Sequence, residues 1–233
     1  KTAAFALPIL AQMLARPEKR TPKSVRALVL APTRELAAQI DENIRAYAAR
    51  TDLKTALVFG GVNIKPQTAA LAKGVDFLVA TPGRLLDHLG QKNVTLENVG
   101  FLVLDEADRM LDMGFLPDVT KIVEHTPAER QTLLFSATID SSIQKNLGNL
   151  LKDPAIVEIA RNGETAATVA QYIMPIANRK KQELLEAVLN DKGHERVIVF
   201  ARTKNRTEEC AEALEAAGFH AESIHSDKTQ GRR

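Results

Sequence analysis

Short, continuous apolar runs alternate with stretches of helical period along most of the chain. Strand-like runs occupy residues 25–31, 55–59, 77–80, 101–104, 132–135 and 156–159. Between them lie helical patterns such as 35–49 and 141–151. Runs that are apolar at every position, rather than at every second one, belong to strands buried on both faces. Helices between such strands imply parallel pairing with right-handed crossovers. The expectation is an α/β, doubly wound parallel sheet, whose ligands sit beyond the carboxyl ends of the strands.

Residues 161–168, Arg-Asn-Gly-Glu-Thr-Ala-Ala-Thr, break this rhythm with small and polar side chains and suit a linker. The alternation then restarts, with strands expected at 171–176, 197–201 and 221–224 and helices at 180–189 and 207–217. This divides the chain into a first domain over 1–160, a linker over 161–168 and a second domain over 169–233. At the other end, Lys1-Thr2 runs directly into an apolar helical stretch, 3–14, in which Pro8 lies beyond the first turn and predicts a kink. A first domain opening inside a helix is expected to lack an initial strand, and a second domain stopping at Arg233 to be truncated.

Composition adds limits. Hydrophobic residues are 45% and charged residues 26% of the 233, ordinary values for a globular protein. A net charge of +2 confines any nucleic-acid surface to a local patch. Residues 16–26, with Arg16, Lys19, Arg20, Lys23 and Arg26 against Glu18, form one, either as a binding surface or as a solvated loop. The single cysteine, Cys210, excludes an intrachain disulfide and fits a small buried apolar position. No apolar run approaches the ~18 residues of a membrane span, and no signal-peptide pattern is visible. These point to a cytoplasmic protein. The five histidines lack ligand spacing, so no structural metal is expected.

The densest chemistry lies just after the run 101–104. A buried strand there delivers Asp105-Glu106 to its carboxyl end, where one acid can hold Mg²⁺ and the next can position water in a phosphate-cleaving site. Acids at that place are also common helix caps. Thr33-Arg34 after Pro32, and Thr81-Pro82-Gly83-Arg84, each stand at a strand-to-helix junction. Free backbone N–H groups at such a junction suit a phosphate, although a threonine there also serves as a plain N-cap. Gly60-Gly61 permits either a close backbone approach or a simple turn. Ser136 and Thr138 close the run 132–135, with hydroxyls able to bond the acidic motif or to cap the next segment.

Taken in order, Pro32-Thr33-Arg34-Glu35-Leu36, Gly60-Gly61, Thr81–Arg84, Asp105-Glu106-Ala107-Asp108 and Ser136-Ala137-Thr138 resemble the successive motifs of the DEAD-box RNA helicases. Residues 197–204 resemble that family's fourth motif, Gln230 with Arg233 its glutamine-arginine motif, and Lys1-Thr2 the end of its phosphate-binding loop. The resemblance covers essentially the whole chain. Residues 109–115 and 201–204 look most like the bacterial RhlE-type branch.

The resemblance implies two RecA-like domains that use ATP and Mg²⁺ to separate short RNA duplexes. Lys1 and Thr2 would bind the triphosphate, Thr2 and Asp105 the Mg²⁺, and Glu106 the attacking water. Ser136 and Thr138 would link hydrolysis to strand separation. Pro32, Thr33, Arg34, Gly60, Gly61, Thr81, Pro82, Gly83, Arg84, Gln230 and Arg233 would hold RNA by its backbone, and Phe200, Arg202, Thr203 and Lys204 would face the interdomain cleft. Sequence-independent binding fits a chain with no tryptophan and two tyrosines, too few for a base-stacking platform. The family's glutamine motif, loop glycines and arginine fingers are not in the sequence. An arginine finger contributes about 10³–10⁵ in turnover, so the isolated polypeptide is expected to be nearly silent as a helicase. The lack of an initial strand removes ladder partners, so it is also expected to be poorly stable. The alternative reading is a nucleotide-gated RNA clamp without productive turnover.

Overall fold

The computed structural model describes residues 1–138, 146–157, 169–191 and 194–229. The chain divides into two compact units, Lys1–Glu164 and Thr165–Arg233. In the first unit the order is α1 (Thr2–Ala15), β1 (Val25–Leu30), α2 (Arg34–Ala48), β2 (Thr55–Val58), α3 (Ile64–Leu71), β3 (Val75–Ala80), α4 (Pro82–Gly90), β4 (Phe101–Leu104), α5 (Ala107–Asp112), α6 (Leu116–Glu124) and β5 (Gln131–Leu134). All strand pairs are parallel, and the spatial order is β2-β3-β1-β4-β5. The expected parallel α/β sheet is present. Helix α1 runs unbroken through Pro8.

Alternate strand residues feed two cores. Ala27, Val29, Phe77, Val79 and Val103 pack with Phe5, Ile9, Met13, Ile40 and Ile44 of α1 and α2. Leu28, Leu30, Leu78, Ala80, Leu102 and Leu104 pack on the opposite face with Leu71, Leu85, Met110, Val119 and Ile122 of α3 to α6. Burial on both faces is why these strands are apolar but for the paired Arg26 and Asp76 near their amino ends.

The basic stretch 16–26 is largely engaged within the fold rather than a free patch. Asp76, 1% exposed, accepts from Arg20 Nη1 at 2.9 Å, from Arg26 Nη1 at 3.3 Å and from the Lys54 amide at 2.8 Å. Arg26 also donates to the Arg16 carbonyl and lies 3.4 Å from Glu18. These contacts fasten the α1–β1 connection to the amino end of β3.

In the second unit the described residues form a 3₁₀ turn (Asn178–Lys180), α7 (Lys181–Leu189) and α8 (Lys204–Ala216). The expected strands at 171–176, 197–201 and 221–224 do not form among the described residues. Ile173 and Phe200 are each 93% exposed. An apolar run becomes a strand only where a neighbour completes its hydrogen-bond ladder, and none does so among the described residues. Ile156 and Val157 are likewise exposed and outside any strand, and the rest of that expected strand, 158–159, lies outside the described residues. So do 141–145 of the expected helix 141–151, the linker 161–168, and both Gln230 and Arg233. Cys210 is half-buried, not enclosed. Among the described residues no helix is long and apolar enough to cross a membrane.

Candidate nucleotide and RNA site

Parallel strands deliver all five carboxyl ends to one edge of the sheet, and the strand order sorts what arrives there. Across the edge lie Gly60-Gly61 after β2, Thr81–Arg84 after β3, Pro32–Arg34 after β1, Asp105–Asp108 after β4 and Ser136–Thr138 after β5. The ladder extends past the strands through Ala31 N–H to Ala80 O, Thr81 N–H to Val58 O, Asp105 N–H to Leu30 O and Phe135 N–H to Leu104 O. The neutral and arginine-bearing junctions therefore occupy one half, and the acidic and hydroxyl residues the other.

In the acidic half, Asp105 is 1% exposed, and its Oδ1 accepts from the Glu106 amide at 2.9 Å. Lys1, at the start of α1, places Nζ 2.7 Å from the same oxygen. The structure thus joins two positions 104 residues apart that the sequence assigns to one site. Asp105 Oδ2 is buried without a hydrogen-bond partner among the described residues. A buried, half-satisfied carboxylate with a cation at its other oxygen is a donor suited to a hard metal ion such as Mg²⁺.

Glu106 adopts a left-handed backbone, φ +51° and ψ +55°, at the start of α5. Such a conformation is uncommon for a residue with a side chain and clusters at functional sites. Its carboxylate makes no cap hydrogen bond, so helix capping does not account for it. One oxygen, Oε2, has no hydrogen-bond partner among the described residues and sits 3.6 Å from Arg109.

Asp108 is the junction between motifs that sequence reasoning passed over. Its Oδ2 accepts from the Ala137 amide at 3.2 Å and from the Thr138 hydroxyl at 3.4 Å. Thr138 does reach the acidic motif, as one of the two sequence readings holds. Ser136 does not, because its hydroxyl donates to the Thr138 carbonyl at 2.6 Å. The signal for Asp108 was its place in the four-residue motif itself.

In the arginine half, Thr33 caps α2 by accepting from the Leu36 amide at 3.3 Å. Thr81 makes no such cap bond, and Pro82 fills the first turn of α4 as its fixed φ allows. Pro32 and Pro82 are buried, and Gly83 is exposed with open space where a Cβ would stand. Gly60 has the same open surroundings. Gly61 has φ +77°, a backbone that favours glycine, and a Cβ there would also displace the Arg34 guanidinium. Arg84 donates to the Val62 carbonyl at 3.0 Å and lies 3.4 Å from Asp87. The first three motifs thus meet at one loop.

Beneath that loop, His88 is fully buried and hydrogen-bonds Gln67 at 3.4 Å. Burial, and then the charge of Arg84, hold its pKa below the ordinary imidazole value. In the second unit, Lys204 pairs with Asp227 at 2.6 Å. Hydrogen bonds from Ser223, His225 and Lys228 pull the Glu208 carboxyl down to about 2.

Residues 1–146 match the DEAD/DEAH box helicase family, and the chain belongs to that family. Over its full length it is 41% identical to the DEAD-box ATP-dependent RNA helicase CshA of Geobacillus kaustophilus (strain HTA426), covering 49% of that protein. Against the ATP-dependent RNA helicase CshA of Listeria monocytogenes the identity is 39%, covering 44%. The chain therefore spans about half the length of these relatives. A crystal structure of a DEAD box protein from the hyperthermophile Methanococcus jannaschii superposes with a TM-score of 0.61 at 35% identity, over 99% of this chain and 60% of that one. These likenesses bear out the family and the RecA-like α/β fold, while the RhlE-type branch stays a reading of 109–115 and 201–204 alone.

Proposed function

We propose that this chain supplies the first motor domain, and the opening of the second, of a cytoplasmic ATP-dependent RNA helicase. The layout is the one read from the sequence, with a linker at 161–168 and a second domain over 169–233. The reading is carried by the sorting of the sheet edge, which sets Lys1, Asp105, Glu106, Asp108 and Thr138 beside a loop shared by Arg34, Gly61 and Arg84. Lys1 turns from Asp105 to the β- and γ-phosphates of ATP, while Thr2 and Asp105 would hold Mg²⁺. Bound there, the ion supplies charge neutralisation on the phosphates. Glu106 orients the attacking water from its carboxylate, whose Oε2 makes no hydrogen bond among the described residues. Thr33, Arg34, Gly60, Gly61, Thr81, Gly83 and Arg84 grip single-stranded RNA through phosphates and 2′-hydroxyls, which carry no base identity. Pro32 and Pro82 set the backbone of those junctions, and Gln230 and Arg233 extend the grip from the second domain. Asp108, held to Ala137 and Thr138, carries the nucleotide state towards the segment after β5, with Ser136 shaping that turn.

In the full-length protein, Glu106→Gln is expected to lower RNA-stimulated ATP turnover by about 10²-fold or more, the scale of a lost general base. Unchanged turnover, with RNA still held in an ATP-dependent manner, would favour a nucleotide-gated clamp instead. Competition between matched RNA and DNA single strands tests the substrate class, with equal affinity pointing to a DNA-acting relative.

A further inference from the structure

Resting on the RNA-binding reading above, we infer that Gln67 and His88 are positioning residues that set the RNA-gripping conformation of the loop 59–62. Strand β2 lies at the edge of the sheet and ends at Val58. The next residue, Phe59, would leave both backbone groups without a ladder. Gln67 of α3 supplies them: Phe59 N–H donates to Gln67 Oε1 at 3.2 Å, and Gln67 Nε2 donates to the Phe59 carbonyl at 3.1 Å. A side-chain amide thereby imitates one rung of a parallel strand.

The amide is in turn fixed from behind. His88 Nε2 lies 3.4 Å from Gln67 Oε1, and Asn93 Nδ2 lies 3.3 Å from His88 Nδ1. Since Gln67 Oε1 can only accept, its contact with the imidazole calls for hydrogen on His88 Nε2. Asn93 is held by Thr68 and Gln91. The charges that act on His88 are those of Arg84 and Asp87 on its own helix. Gln67 is 8% exposed and His88 fully buried, so neither touches RNA. From α4, Arg84 secures the far side of the same loop at the Val62 carbonyl. Two adjacent helices thus clamp the Gly60-Gly61 turn at both ends, and Gly61, at φ +77°, packs directly under the Arg34 guanidinium.

This arrangement predicts a defect in RNA affinity without a defect in ATP use. Gln67→Met keeps the side-chain volume and removes both hydrogen bonds to Phe59. In the full-length protein it should raise the oligouridylate concentration that half-saturates ATPase stimulation by about tenfold. The kcat at saturating RNA and the KM for ATP should be unchanged. His88→Leu should raise the same concentration by about threefold and add little in the Gln67→Met background, because it acts through Gln67. Gln67→Glu supplies a pH signature. Its protonated acid can both donate to and accept from Phe59, whereas its carboxylate opposes the Phe59 carbonyl. Oligouridylate affinity relative to the unmodified protein should therefore recover as pH falls from about 8 to 5, burial raising that carboxyl's pKa.

A half-saturating concentration within twofold of the unmodified value in Gln67→Met overturns the inference, as does a fall in kcat with a matching rise in the KM for ATP. If Gln67→Met does not fold, Gln67→Glu decides, and an affinity ratio flat with pH overturns the inference. An unmodified protein whose ATPase ignores RNA would overturn the RNA reading itself, and this inference with it.

Discussion

Gly61 and Arg34 define the tightest residue-level constraint at the candidate RNA edge. A Cβ at position 61 would have to occupy a left-handed backbone and the space of the Arg34 guanidinium at once. Gly61→Ala is expected to cost about 1–2 kcal/mol of local strain. The loop is exposed, so this should appear as weaker RNA stimulation of ATPase with little change in melting temperature. His88 makes a different prediction. With its folded-state pKa lowered by burial, the unfolded chain takes up a proton at a pH where the folded chain does not. Stability contributed by keeping His88 neutral is complete above the ordinary value of 6.5 and declines as pH falls below it. Urea titrations from about pH 8 to 5 should show this limb flattened in His88→Gln.

At the scale of elements, the strands of the first unit were legible because each carries a nearly continuous apolar run and leads into a chemically distinct junction. The motif residues were legible for the same reason, since each ends a buried strand. What local pattern did not contain was partnership. Asp76 looks like an interruption in an apolar strand, and only the fold reveals that it joins Arg20, Arg26 and Lys54. Gln67 and His88 sit on the buried faces of α3 and α4, and their purpose depends on a backbone that a sequence window does not include. The same blindness explains the strands expected in the second unit, where an apolar run at 197–201 carries the local signal but has no ladder neighbour among the described residues. Asp76 also yields a test. Asp76→Ala would remove the buried carboxylate that faces Arg20 and Arg26 and would leave the Lys54 amide without its acceptor. Breaking a buried pair from one side costs about 3 kcal/mol, to be read as a lowered urea midpoint. RNA affinity should hold, because this network lies at the opposite end of the sheet from the candidate site.

For the whole molecule, the near balance of charge means that RNA attraction must come from individually placed cations. Affinity for single strands should fall with salt by a logarithmic slope of about −0.7 per phosphate neutralised. Arg34→Ala is therefore expected to make that slope shallower by about 0.7, measured by binding across a salt series with the full-length protein. The strand order has a consequence of another kind, for synthesis on the ribosome. Strand β1 pairs with β3 and β4 but never with β2, and Val25 meets Val75, fifty positions later. Strand β2 also waits for β3. No rung among these five strands can therefore form until β3 has emerged, a delay of several seconds at about 5–20 residues per second. Throughout that interval β1 and β2 have no ladder partner in each other, only packing among α1, α2 and β2 is open to this stretch, and translation speed across residues 31–80 becomes a determinant of how much protein reaches the folded state.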